Sequence, residues 1–212
     1  MSPTDLASTE IARQLAECGN LFHRWQWSLA TSSNYSALLE SGAVVISRSG
    51  VDKQFMTSAD FMIVDIDGKP TTEFDKIRPS AETELHCHLY RHARLAELSI
   101  AAVLHTHSKF AVHFSRRFAT EGVIRFQGFE MQKIFDGIST HESTVEVPIF
   151  ANSQTMADIT GKFDVYLKNN ARPAAYLIEG HGVYAWGKSI YHAKQKLEGL
   201  EHLFEQKYLE EK

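Results

Sequence analysis

The chain has 212 residues, 43% of them hydrophobic, enough for one enzyme-sized core and an expected single domain over residues 1–212. Its 22 Lys and Arg against 26 acidic residues give a formal charge of −4, and no basic stripe interleaved with aromatics runs along it, which argues against a nucleic-acid partner. Cys18 and Cys87 lack any metal or redox spacing, Met1 to Glu10 has no basic-then-apolar leader, and no run reaches about 18 apolar residues; a cytoplasmic protein with free thiols and no membrane partner is expected.

A first helix is predicted from about Asp5 to Trp25, because Ile11, Leu15, Cys18 and Phe22 recur at helical intervals. A polar turn over Ala30 to Ser36 separates it from short strands around Ala43 to Ser47 and Phe61 to Asp65, and Asp67-Gly68 is a turn signal. Ser80 stands where a hydroxyl caps a helix carrying Leu85, Leu89 and Tyr90 and ending near Glu97. Then come a strand over Ala101 to His107, a short helix from about Lys109 to Arg117, a strand near Val123 to Phe126 and a helical turn from Phe129. A strand over Val145 to Phe150, a helix near Met156 to Asn170 and a strand over Ala174 to Ile178 follow. The terminal helix begins at Ser189, with Ile190, Ala193, Leu197, Leu200 and Phe204 on one face. Phe126, Phe129 and Phe135 are expected to pack the core, the other use being to line a pocket for an apolar substrate tail.

Chemistry concentrates in Leu104-His105-Thr106-His107. Residues i and i+2 of a strand share a face, so His105 and His107 point the same way with Cα atoms roughly 6 to 7 Å apart, close enough to tilt two imidazoles onto one ion. Taken alone, the pair reads equally as two histidines on a polar strand face. A third histidine, His181, follows the apolar run Ala174 to Ile178 within Glu179-Gly180-His181-Gly182, where a buried strand ends in a glycine turn. Three imidazoles with an open fourth position are the donor set of a catalytic zinc site. His23, His86, His88, His92, His113, His141, His192 and His202 show no spacing that converges on this strand and are read as surface or helix residues.

In order along the chain, Thr31-Ser32-Ser33-Asn34-Tyr35-Ser36, Ser49-Gly50, Ser80-Ala81-Glu82-Thr83, His105-Thr106-His107-Ser108 and His181-Gly182-Val183 resemble the class II aldolase and sugar-phosphate epimerase family. Pro79 to Thr83, Phe129-Glu130-Met131 ahead of Lys133, and His181 to Gly187 are most similar to a dehydratase branch of it. The resemblance implies an α/β fold, an α/β/α sandwich around a largely antiparallel central sheet, assembled as a homotetramer with sites near subunit boundaries. It implies one zinc ion per chain on His105, His107 and His181, and a small sugar-phosphate substrate. The phosphate would be held by hydroxyls and backbone N–H groups of Thr31, Ser33, Asn34, Ser49, Gly50 and Ser80. Glu82 takes the position of the family's acid/base glutamate and Glu130 that of a glutamate of the dehydratase branch, so both are expected to be catalytic. Without the resemblance Thr31 to Ser36 is a turn, Ser80 a cap, Glu82 a first-turn residue and Glu130 a solvated charge. The expected reaction is loss of water from a ketose phosphate. The competing readings are aldol cleavage or 4-epimerisation at the same metal, and a noncatalytic interaction module of the same fold.

Overall fold

The computed structural model describes residues 3–96, 100–169, 173 and 175–211. In chain order its elements are α1 (Pro3–Arg24), β1 (Asn34–Leu38), β2 (Val44–Ser47), β3 (Phe61–Val64), α2 (Thr83–Ala96), β4 (Ala102–Thr106) and α3 (Lys109–Arg117). Then follow β5 (Val123–Phe126), β6 (Val145–Phe150), α4 (Met156–Asn169), β7 (Ala175–Ile178), β8 (Gly182–Gly187) and α5 (Ile190–Glu210). Short 3₁₀ turns occupy Lys53–Phe55, Ser58–Asp60, Thr72–Phe74 and Glu130–Ile134. The expected ends near Glu97 and Asn170, and the expected strand start at Ala174, lie outside the described residues.

The strands form one sheet in the order β3-β2-β1-β4-β8-β7-β6-β5. Every neighbouring pair is antiparallel except β6 and β7, which run parallel with α4 as their crossover. Alternation along the strands divides the core into two apolar layers. Ala102 and Leu104 of β4, Ala175 and Leu177 of β7 and Val183 and Ala185 of β8 face one layer, with Leu15 and Phe22 of α1, Phe114 of α3 and Leu197, Leu200 and Phe204 of α5. Val103, Tyr176, Ile178, Tyr184 and Trp186 face the other, with Leu85, Leu89 and Tyr90 of α2 and Ile159 and Phe163 of α4. The α/β/α sandwich is thus present. Cys18 and Cys87 are buried free thiols, and Phe126 and Phe135 pack in the first layer with Phe129 against it, as core residues.

Two strands depart from the sequence pattern. The turn expected over Ala30 to Ser36 ends early, since Asn34, Tyr35 and Ser36 belong to β1; their polar side chains are tolerated in a buried strand because each finds a partner on another element. The Gly182–Gly187 segment, flanked by turn-like glycines, is β8, the central neighbour of β4. Its glycines answer to close approach, for a Cβ on Gly187 would lie 2.6 Å from the Ala193 backbone nitrogen.

Helix α5 is pinned across the sheet end by a buried carboxyl. Ser108, the N-cap of α3, donates its hydroxyl to Glu201 Oε2 at 2.6 Å, and Glu201 is only 3% exposed. Burial pushes the Glu201 carboxyl up to about 8 from an ordinary 4.5, although the Ser108 hydrogen bond works the other way. A carboxyl whose folded pKa is raised contributes most below its unfolded pKa and loses that contribution as pH climbs to the folded value. Glu201→Gln should therefore match the wild type near pH 4.5 and gain on it by about 1.4 kcal/mol per pH unit up to about pH 8. Urea unfolding at pH 5 and pH 8 checks this; equal stability differences at both would show that Glu201 does not titrate with unfolding.

Candidate metal centre

The register of the sheet builds the site. Asn34 of β1 pairs with His105 of β4, which pairs with Tyr184 of β8, so three side chains stand in a row on one face across adjacent strands. His107 shares that face two residues beyond His105, and the turn from β7 to β8 brings in His181. One nitrogen from each of the three imidazoles lies within 4.8 Å of one from every other, and His105 Nε2 is 2.8 Å from His107 Nε2. The rings pack at 4.6 to 5.0 Å between centroids, and Tyr184 stacks on His105 at 4.0 Å.

The donor set fits a zinc-type ion. His105 Nδ1 donates to the Val183 carbonyl at 2.9 Å, which fixes the tautomer and leaves the Nε2 lone pair for a metal. Burial holds His105 well below its ordinary pKa and pushes His107 down to about 4, so both are neutral ligands at pH 7. Glycine is required beside them: a Cβ on Gly182 would lie 2.0 Å from the Thr106 carbonyl oxygen and 3.2 Å from His105 Cε1.

Glu82, immediately before α2, reaches into the cluster. Its Oε1 is 2.8 Å from His181 Nε2 and its Oε2 3.3 Å from His105 Nε2. Oε2 also accepts from Asn34 Nδ2 at 2.7 Å and from the Tyr184 hydroxyl at 2.6 Å, both ends of the three-residue row. Burial works to raise the Glu82 pKa, but the hydrogen bonds from His181 and Asn34 prevail and hold it far below the usual carboxylate range. It is a carboxylate fixed by three donors, Asn34, Tyr184 and His181.

A buried polar chain stands behind it. Burial pushes His86 down to about 4, so it is neutral at pH 7, and the Asn34 oxygen only accepts, so His86 Nε2 must be the protonated nitrogen. Nδ1 then accepts from Ser36 Oγ at 2.7 Å, and Ser36 accepts from Tyr90 at 2.7 Å. Direction is thereby set along Tyr90, Ser36, His86, Asn34 and Glu82. Of the histidines read as surface or helix residues, His86 and His88 lie on α2 but are buried rather than at the surface, 0% and 9% exposed, and both are hydrogen-bonded to side chains. The missed signal was the spacing Glu82, His86, Tyr90, since residues four apart lie on one face of a helix.

Three loops meet at the same end of the sheet. Ser49 N donates to Arg78 O at 3.0 Å and Ser80 N to Ser47 O at 3.3 Å, stitching the Ser49-Gly50 loop to the Ser80 loop. Lys53 N donates to Ala30 O at 3.3 Å and its ammonium to Val51 O at 2.8 Å and Thr31 O at 3.4 Å, joining the Thr31 loop. Ser33 and Gly50 adopt φ of +75° and +77°. Thr31, Ser49 and Gly50 are exposed, Ser80 is half-buried and accepts from Glu82 N, and Ser33 is buried. The Asn34 amide is committed to Glu82 and His86. Lys53 was not foreseen: buried at 1% exposure, it brings a cation to these loops, and burial lowers its pKa to about 8.

Glu130 is placed elsewhere. The β7–β8 turn that holds His181 lies at the sheet end where Phe150 pairs with Ile178 and Ile178 with Gly182. The β5–β6 connection that holds Glu130 leaves from the other end, where Phe126 pairs with Val145. The Glu130 side chain is 68% exposed and joins Lys133 and His141, the latter at 3.1 Å, rather than the imidazole cluster.

Fold and site together define a protein class. The family model described as "Class II Aldolase and Adducin N-terminal domain" matches residues 13–208, and the chain belongs to that family. Two of the relatives named methylthioribulose-1-phosphate dehydratase show the extent of the likeness. One, from Xanthomonas campestris, is 44% identical over 191 residues, covering 90% of this chain and 82% of its own length. The other, from Sorangium cellulosum, is 38% identical over 208 residues, covering 98% and 96%. Among solved structures, an L-fuculose-1-phosphate aldolase from Thermus thermophilus superposes with a TM-score of 0.72 at 22% identity, covering 97% of this chain and 95% of that one. A sugar-phosphate aldolase from Thermotoga maritima gives 0.65 at 16% identity and 92% of both chains. These two bear on the fold.

Gly182→Ala should separate β8 from β4 between two of the imidazoles. Weaker uptake of added zinc and loss of roughly 1 to 3 kcal/mol of stability are expected, the usual range for overpacking. Gly161→Ala, in α4 with nothing within 4 Å of its Cβ, is the control and should stabilise by up to about 1 kcal/mol. Full zinc content in Gly182→Ala would show that the strand contact does not set the cluster.

Proposed function

We propose that the chain dehydrates 5-methylthioribulose 1-phosphate to 5-methylthio-2,3-dioxopentyl phosphate, a step of methionine salvage. The observation that carries this reading is a complete histidine trio with Glu82 fixed against it, in a chain 38–44% identical to relatives named for that reaction. A noncatalytic module has no use for three converging imidazoles and a carboxylate held by three donors. A zinc ion on His105, His107 and His181 would supply Lewis acidity toward the substrate's carbonyl and adjacent hydroxyl oxygens.

The chain's own residues divide the remaining work. Ser49, Gly50, Ser80, Thr31 and Ser33 offer hydroxyl and backbone N–H donors for the phosphate, with the Lys53 ammonium behind them. Asn34 is withdrawn from that group and positions Glu82 instead. Removal of the C3 proton and departure of the C4 hydroxyl with a proton yield an enol, which takes a proton at C4, gives up its C3 hydroxyl proton and becomes the diketone; the net loss is one water. Glu82 lies beside the metal position and orients or relays protons there. Glu130 serves proton transfer at C3 or C4. Its placement away from its own cluster, on an exposed connection, fits a tetramer in which it serves the cluster of a neighbouring copy.

Zinc-loaded protein given 5-methylthioribulose 1-phosphate should yield a product lighter by one water with its carbon skeleton intact, as read by mass spectrometry. Two fragments would mean an aldolase, and an unchanged mass with inverted C4 an epimerase. Glu130→Gln should slow the reaction roughly 10²- to 10⁴-fold with zinc still bound. Co-expressing Glu130→Gln with His105→Ala should restore part of the activity that each lacks alone. No recovery in the mixed oligomer would overturn the shared site, and near-normal turnover by Glu130→Gln would remove Glu130 from the chemistry.

A further inference from the structure

We infer that His88, His92 and Asp164 form a second metal site, for a zinc-class divalent ion, which ties α2 to α4. His88 and His92 are four residues apart on α2 and present their rings side by side, 4.6 Å between centroids. Asp164 on the facing helix α4 aims one oxygen at both: Oδ1 is 2.8 Å from His88 Nε2 and 2.5 Å from His92 Nε2. One donor atom from each of the three residues lies within 4.8 Å of the other two, the same convergence that the first trio shows.

The surroundings suit an ion. The Phe163 ring, 6.0 and 6.1 Å from the two imidazoles, forms an apolar wall on the core side. The side chains are 11%, 20% and 43% exposed for His88, His92 and Asp164, so the two imidazoles are sheltered while the Asp164 side opens to solvent. Water from that side would complete the coordination shell. Burial keeps His88 below its ordinary pKa despite the Asp164 charge, and the hydrogen bonds from both imidazoles keep Asp164 ionised. Two imidazoles and one carboxylate favour zinc, cobalt or nickel over magnesium or calcium, whose preference is for oxygen.

The site stands apart from the first in residues and in purpose. Glu82 directly precedes α2, and His88 lies six residues further on, about 9 Å along the helix. An ion that clamps α2 to α4 therefore steadies the helix whose start carries Glu82. It is a structural clamp and does not depend on which reaction the first cluster performs.

The test is calorimetric titration of metal-stripped, full-length protein with zinc chloride. Wild type should take up two equivalents per chain, and His92→Ala and Asp164→Asn one each. His105→Ala/His107→Ala should also bind one, with a rise in melting temperature on adding zinc that disappears when His92→Ala is added. Cobalt chloride given to His105→Ala/His107→Ala should produce visible d–d absorption that Asp164→Asn abolishes. A single equivalent in the wild type, or two in Asp164→Asn, would overturn the second site. Equal competition by magnesium would overturn its assignment to a zinc-class ion. Asp164→Asn keeps the size of the side chain, so the result stands even where His92→Ala fails to fold.

Discussion

Register across three strands governs the rest of this molecule. Because Asn34, His105 and Tyr184 are cross-strand partners on one face, the two outer residues donate to the same carboxylate oxygen that abuts the middle one. A slip of one residue in either pairing would turn His105, or one of the donors, to the opposite layer among Leu104, Val183 and Ala185. Both side chains that aim Glu82 are therefore set by backbone hydrogen bonding, which is far stiffer than side-chain packing alone. Gly182 is where the constraint is tightest, since the β4 backbone occupies the space a side chain would need.

Behind this row the molecule places a polar chain in an otherwise apolar layer. Tyr90, Ser36 and His86 are each fully buried among Leu85, Leu89, Val103 and Tyr184, and every one is hydrogen-bonded. Satisfied networks of this kind specify one arrangement of groups, because any alternative leaves a buried donor or acceptor unpaired at a cost of about 1 to 3 kcal/mol. Helix α2 thus contributes twice, with Leu85 and Leu89 holding it to the sheet and Glu82, His86 and Tyr90 carrying polarity toward the site.

The legible parts of the sequence were those where periodicity and burial agree. His105 and His107 showed through because a two-residue period is intrinsic to a strand, and the helices α1, α3 and α5 through their apolar stripes. Strands β1 and β8 did not, for a reason found in the site itself: Asn34 and Ser36 break the apolar pattern because they serve Glu82 and His86, and Gly182 imitates a turn because β4 is close. The functional residues disguised the very strands that hold them. Glu130 was legible only through resemblance, since nothing in its local spacing marks it off from an ordinary surface charge.

The distance in sequence between the three converging histidines has a thermodynamic consequence for any ion they hold. His105 and His107 come from one strand and His181 from a turn more than seventy residues later, while Glu82 precedes both. An unfolded chain keeps only His105 and His107 together, so an ion held by all three favours the native state. By mass action each tenfold excess of free ion over its dissociation constant then adds up to about 1.4 kcal/mol to folding stability. Metal supply would in that way set how long the folded chain survives.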